Sequence, residues 1–298
     1  MSKGKYRLKG HESFTPREGW IAKGLEAVAE NPQVFSARNY YGADDLGVGT
    51  NMAKSIRYWM NVMGLTKREK NGEVLTELGE VVYQYDPYIE EVFTMWLLHY
   101  HLCTDRERAT SWYLFFNGEH STEYDKEGLN QYLSMKLEEL GVWNYSEKSL
   151  KDDVNAILAM YCGKRSIEKE DPEEKAVCPF SMLGLISSNG RYYIDTEPDR
   201  EKLPTEVVLY VIYKLLVKQD LVKAQKNVYS LSIDTLLNGT GGVKSAFHLS
   251  NMVLNDILDQ LENQGEIKVN RTAGLDVLYI EDTDELNAIE VAKKYYRN

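Results

Sequence analysis

Residues 49–76 read GTNMAKSIRYWMNVMGLTKREKNGEVLT. Thr50 or Asn51 can cap a helix over 52–63, because a side-chain oxygen there accepts an otherwise orphaned N–H of the first turn. Met52, Ser55, Ile56, Trp59 and Met63 recur at helical spacing on one face, while Lys54, Arg57 and Asn61 leave the other side. Residues 65–76 then read as two short strands joined at Asn71-Gly72, a pair that tolerates the positive φ of a two-residue hairpin turn. Upstream, Trp20, Ile21, Leu25 and Val28 mark a helix over 19–30. Asn31-Pro32 ends it, since proline disfavours helical backbone in the preceding residue. A short helix around 37–46, closed by Gly47, lies between the two. The order helix, helix, polar-faced helix, hairpin is that of a winged helix, whose third helix enters the major groove.

Further along, the pattern changes. Residues 88–103 and 109–117 are dense in aromatics, and Phe93, Trp96, Leu97, Tyr100, Trp112, Phe115 and Phe116 fall at helical spacing. A stripe of that kind is read as core. Residues 129–140 predict an amphipathic helix. A helix over 150–161 capped by Ser149 follows, then a solvated acidic stretch at 166–174 and an Asn189-Gly190 hairpin within 185–194. The C-terminal part predicts helices over 204–217, 231–238 and 243–264. After them come strands at 267–269 and 277–280 around a turn at Thr272–Gly274, and a last helix over 285–296. The expected fold is mainly α (α+β): winged-helix-like modules with small β-hairpin wings, joined by an aromatic-rich helical segment. The expected divisions are 1–88 (basic arm and winged-helix module), 89–145 (aromatic-rich spacer), 146–196 (second helix-turn-helix and hairpin module) and 197–298 (C-terminal winged-helix-like module).

The 298 residues carry a net charge of −11, unevenly spread. Residues 1–72 hold 12 Lys and Arg against seven Asp and Glu, a balance of +5, whereas 73–298 hold 23 against 39, a balance of −16. Such asymmetry points to a polyanion-binding end on an otherwise acidic protein. No apolar run approaches the roughly 20 residues of a membrane span, and no apolar stretch follows the basic N-terminus to make a secretory signal. Cys103, Cys162 and Cys178 are too scattered for a disulfide framework or a CxxC zinc site, which fits a reducing, cytoplasmic setting. There is no phosphate-binding GxxxxGK[ST] and no HExxH. Gly239-Thr240-Gly241-Gly242 lacks the following Lys-Ser. His99 and His101, two apart on a helix, point to different faces and cannot share one ion.

One compact polar cluster remains. His11, Glu12, Ser13 and Arg17 lie within seven residues, just before a helix. They suit proton transfer or phosphate binding at a helix N-terminus, or equally a hydrogen-bonded cap that pins the basic arm.

The runs HESFTPREGWIAKG (11–24), LGVGTNMAKSIRYW (46–59), LTELG (75–79) with Asp86-Pro87, WLLHYHL (96–102), ATSWYLFFN (109–117), and Cys178-Pro179-Phe180 with Leu183-Gly184-Leu185 occur in this order. Together they resemble a bacterial family catalogued as a domain of unknown function, DUF4007. Its genes neighbour phosphoadenylylsulfate-reductase-like and cysteine desulfurase genes in DNA phosphorothioation and phage-defence islands. A member of the Ssp-type systems similar to this chain is held to act on DNA, with strand nicking proposed. The resemblance implies a role at His11, Glu12, Arg17, Trp20, Asn51, Lys54, Arg57 and Trp59. It implies double-stranded DNA and sulfur-transfer or ATPase proteins of the same island as partners, and it leaves room for a homodimer.

The expected DNA-contacting residues are Arg17, Asn51, Lys54, Arg57, Lys67, Arg68 and Lys70, with Trp59 and Ile56 anchoring the groove helix in the core. No nucleophile is assigned, and His11 and Glu12 are the candidates for catalysis. No cofactor or metal site is evident; magnesium enters only if strands are nicked. A transcriptional regulator of the island and a non-catalytic scaffold for a sulfur-transfer partner are the alternative functions.

Overall fold

The computed structural model describes residues 5–162, 178–218, 228–272, 275–281 and 287–298. The chain forms two compact units, Met1–Thr196 and Glu197–Asn298. The described residues are mainly helical with small antiparallel sheets. The stretches 1–88, 89–145 and 146–196 lie together in the first unit.

The first unit opens with α1 (Trp20–Glu30), a 3-10 turn (Ala37–Gly42), α2 (Ala43–Leu46) and α3 (Thr50–Val62). Strands β1 (Thr66–Glu69) and β2 (Gly72–Leu75) pair antiparallel, with Thr66 opposite Leu75 and Glu69 opposite Gly72. Then come α4 (Glu77–Tyr85), α5 (Val92–Thr104), α6 (Thr110–Asn117), α7 (Lys126–Glu139) and α8 (Glu147–Cys162). Strand β3 (Glu123–Tyr124) joins β4 (Ile186–Ser188) and β5 (Tyr193–Asp195) in a sheet of order β3-β5-β4. Trp59 of α3, Trp96 of α5 and Trp112 of α6 are fully buried. The aromatic stripes are therefore core, and burying side chains of this size is the main stabilising term.

The second unit runs α9 (Thr205–Lys218), β6 (Val228–Ser232), α10 (Ile233–Asn238), α11 (Val243–Phe247), α12 (Asn251–Asn263), β7 (Lys268–Thr272), β8 (Leu275–Glu281) and α13 (Ala288–Arg297). Its sheet has the order β6-β8-β7. Phe247, Leu254, Ile257, Leu258, Leu278 and Ile280 are buried in its core.

Several boundaries differ from the pattern reading, each for a local reason. The helix expected over 243–264 is two helices, because His248 adopts a left-handed conformation (φ 53°) and Ser250 Oγ caps α12 by accepting the Val253 N–H. Leu231 and Ser232, expected in a helix, belong to β6, and α10 starts after Ser232 caps it. The helix expected from Tyr88 starts at Val92, since Asp86 takes the Glu90 and Glu91 N–H groups into a turn. Ser149 lies inside α8, where Ser146 Oγ accepts its N–H. At α3 the capping position is Gly49, without a side-chain bond, not Thr50 or Asn51. The acidic stretch 166–174 and residues 273–274 lie outside the described residues.

Candidate nucleic-acid interface

The basic arm is laid down on the first unit by long-range bonds. Arg7 N donates to Thr110 Oγ1 at 3.0 Å, and Lys9 N to Asp153 Oδ1 at 2.8 Å. Lys9 Nζ pairs with Asp152 at 2.6 Å, and that carboxylate raises the pKa of the ammonium. The Phe14 carbonyl accepts the Trp59 indole N–H at 3.0 Å. Lys9, Glu12 and Ser13 all adopt positive φ, a conformation costly for residues with a Cβ and kept only where surrounding contacts hold it.

His11 is fully buried, not at a cleft. Its Nε2 lies 2.9 Å from Asp153 Oδ1, and the ionised carboxylate can only accept, so Nε2 carries the proton. Ser111 Oγ donates to the other Asp153 oxygen at 2.5 Å. The imidazole stacks on Trp59, with centroids 5.7 Å apart, and meets the Trp112 ring edge-on. His11 Nδ1 is buried without a hydrogen-bond partner. With the imidazole enclosed and Glu12 exposed, the two candidates for proton transfer are not brought together over a common opening. The geometry is that of a pin holding the arm to α3, α6 and α8.

The expected DNA contacts divide into four groups. Asn51 is exposed at the start of α3, and Lys54 Nζ sits 4.6 Å from the Tyr41 ring centroid in a cation–π contact. On the hairpin, Lys67, Arg68 and Lys70 are exposed, and Lys67 pairs with Glu69 at 2.9 Å. Arg57 is engaged elsewhere: its Nε donates to Glu73 Oε1 at 2.6 Å, and its Nη2 pairs with the same oxygen. Glu73 is completely buried on β2, with Oε2 unpartnered, so Arg57 compensates an interior charge. Arg17 belongs to another surface, where its guanidinium stacks on Trp20 at 5.4 Å. Local pattern reading located Lys54 on α3 and Lys67, Arg68 and Lys70 on the hairpin, but not the engagement of Arg57 or the separate setting of Arg17. It missed Glu73 and Asp153 because a carboxylate in a polar-looking stretch carries no local mark of burial.

The fold as a whole is similar to solved structures. A magnesium ion-bound SspB crystal structure matches with a TM-score of 0.84 at 25% identity, covering 99% of this chain and 89% of that one. A second SspB crystal structure matches with a TM-score of 0.83 at 25% identity, covering 99% and 90%. No curated protein matches this chain. Among the described residues, no three His, Cys, Asp or Glu side chains stand together in a metal-holding group. Asp152 and Asp153, the carboxylates that hold the arm, are already engaged by Lys9, His11 and Ser111. These engaged residues do not fit a protein-built magnesium site. No described helix is long and apolar enough to cross a membrane. A family model described as "Protein of unknown function (DUF4007)" matches residues 8–296, nearly the whole chain, and the chain belongs to that family.

Proposed function

We propose that this protein is a DNA-contacting component of an Ssp-type DNA phosphorothioation and phage-defence system, and that its first unit makes the contact. The likeness to SspB over 99% of the chain carries this reading. The first unit adds a chemical reason. We read its order of α1, α2, α3 and the β1–β2 hairpin as a winged helix, a reading in which α3 would take the groove-reading position. Asn51 and Lys54 on α3 and Lys67, Arg68 and Lys70 on the hairpin supply base-edge and phosphate contacts. Arg57 we assign to holding the hairpin through Glu73.

On the same reading, the order α9, α10, α11, α12 and the β7–β8 hairpin makes the second unit winged-helix-like, with α12 corresponding to α3. That helix carries Asp256, Asp259 and Glu262 and no Lys or Arg. Asp256 and Asp259 pair with Arg200 and Arg271, and a helix face without a free cation suits a protein partner, such as a sulfur-transfer or ATPase component, better than a phosphate backbone.

The test is salt-dependent DNA binding by the full chain. Replacing Arg68 and Lys70 together with Ala should weaken duplex binding across sequences. The slope of log affinity against log salt should fall by about one for each phosphate no longer neutralised. An unchanged slope overturns the assignment. In the same preparation, relaxation of supercoiled plasmid in magnesium would mark an enzyme. A footprint at one promoter without relaxation would favour the regulator.

A further inference from the structure

Three stretches far apart in the chain, two of them within runs that carry the family resemblance, meet at one cavity of about 680 Å³ in the first unit. Pro16–Gly19 comes from the arm, Tyr88–Glu90 follows Asp86-Pro87, and Cys178–Met182 contains the Cys-Pro-Phe run. This convergence is unrelated to the α3 and hairpin face, and Arg17 goes to this cavity instead of to that face.

The lining has a definite chemistry. Ile21, Met95, Leu98 and Phe180 give apolar walls. Tyr88 and Met182 line the same cavity while standing 73% and 59% exposed, so an aromatic face and a polarisable thioether are held in water. For Tyr88, the backbone next to it is constrained. Ile89 has φ 57°, an outlier for a β-branched residue, within a turn held by Asp86, whose Oδ1 accepts the Glu90 N–H at 2.8 Å. Strain of this kind persists where the surroundings impose it and marks functional positions. Charge completes the picture: Arg17 makes no ion pair with a described residue, and the carboxylates of Glu18 and Glu90 border the same opening.

We propose that this cavity receives one unpaired nucleotide of a DNA strand, its base against Tyr88 and Met182 and its phosphate at Arg17. The apolar walls and exposed ring match the faces of a base, and stacking on an aromatic side chain tolerates any base. Glu18 and Glu90 can accept from an exocyclic amino group but repel a phosphate, which orients the base inward and leaves the phosphate to the guanidinium. The inference rests on the DNA-contacting reading and adds a preference for a base already out of its stack, which needs no unpairing.

The experiment compares binding of the full-length protein to a 24-base-pair duplex and to the same duplex carrying one bulged adenosine. The parent protein should bind the bulged duplex about tenfold tighter, within the range expected for stacking one base on an aromatic ring. Tyr88→Ala and, separately, Met182→Ala should erase or reduce that preference. Both side chains are largely in solvent, so unchanged melting curves will show that the fold survives. Arg68→Ala with Lys70→Ala should instead weaken both duplexes alike. Equal binding of the two duplexes by the parent, or a preference that survives both Tyr88→Ala and Met182→Ala, overturns the cavity assignment and leaves the DNA-contacting reading intact. Binding to neither duplex overturns both. Saturable binding of free deoxyadenosine monophosphate without a bulge preference moves the site to a mononucleotide and overturns the strand version.

Discussion

Arg57 reaches from α3 to the buried Glu73 on β2, and this pair joins the helix to the hairpin beside it. Removing the guanidinium strands a carboxylate that is completely enclosed. Arg57→Ala should therefore cost about 3 kcal/mol of stability in urea unfolding, the low end for breaking a buried pair because the guanidinium is itself about one-third exposed. Adding Glu73→Gln should recover part of that loss. Any effect of Arg57→Ala on DNA affinity then has to be read after its effect on folding. The thiols make a second case at this scale. Burial pushes Cys178 from its ordinary value of 9.0 up to about 12, and Cys103 is raised further for the same reason. Folding favours the protonated thiol, so this contribution to stability is fully present below about pH 9 and is lost as pH rises through about 12. At pH 8 neither thiol should react with a thiolate-selective reagent until the protein unfolds, which peptide mapping after labelling will show. Labelling of either in the native state would place it at the surface.

The β1–β2 hairpin depends on Gly72, whose φ of 142° lies outside ordinary territory for a residue with a Cβ. A Cβ there would also collide with the Pro32 carbonyl oxygen, the atom that accepts the Glu73 N–H at 2.8 Å and ties the hairpin to the end of α1. Gly72→Ala should cost about 1–3 kcal/mol by thermal or chemical unfolding and speed amide exchange along β1 and β2. Unchanged hairpin protection would show that another contact holds this element. A turn between the two strands was legible because its signal is local, but it falls on Lys70-Asn71, one residue earlier than the expected Asn71-Gly72, and Gly72 is the first residue of β2, paired with Glu69. The docking of Gly72 against Pro32, forty residues earlier in the chain, was not legible. In the same way Gly47 was legible as a helix stop, and it has the left-handed φ of 63°. The break of the expected 243–264 helix at His248 was hidden, since the apolar period continues through it and only the Ser250 cap restarts the helix.

At the scale of the whole molecule, the two units differ in the helix that follows their first helices: α3 carries Asn51, Lys54 and Arg57, and α12 carries Asp256, Asp259 and Glu262. Glu197–Asn298 has its own sheet and buried core, so it should fold by itself and unfold in one cooperative transition. The isolated fragment should not shift duplex DNA at a salt concentration where the full chain does, because α12 lacks any cation. Equal binding by the fragment would reverse the assignment of the DNA-facing unit.

Helix phase, turn positions and the sign of charge along the chain are properties of short stretches. Residue order alone was therefore enough for α1, α3, the hairpin, the aromatic core and the +5 and −16 balance. The ordered motifs were enough for the family as well. Which charged groups are taken up inside the molecule emerged only from packing. Arg57 finds Glu73 16 residues away, and His11 finds Asp153 142 residues away. The meeting of Arg17, Tyr88 and Met182 around one cavity was equally beyond local reading. Local propensity acts over a few residues, whereas a partner for a buried charge, or the far wall of a cavity, is supplied by whatever the packed core brings within reach.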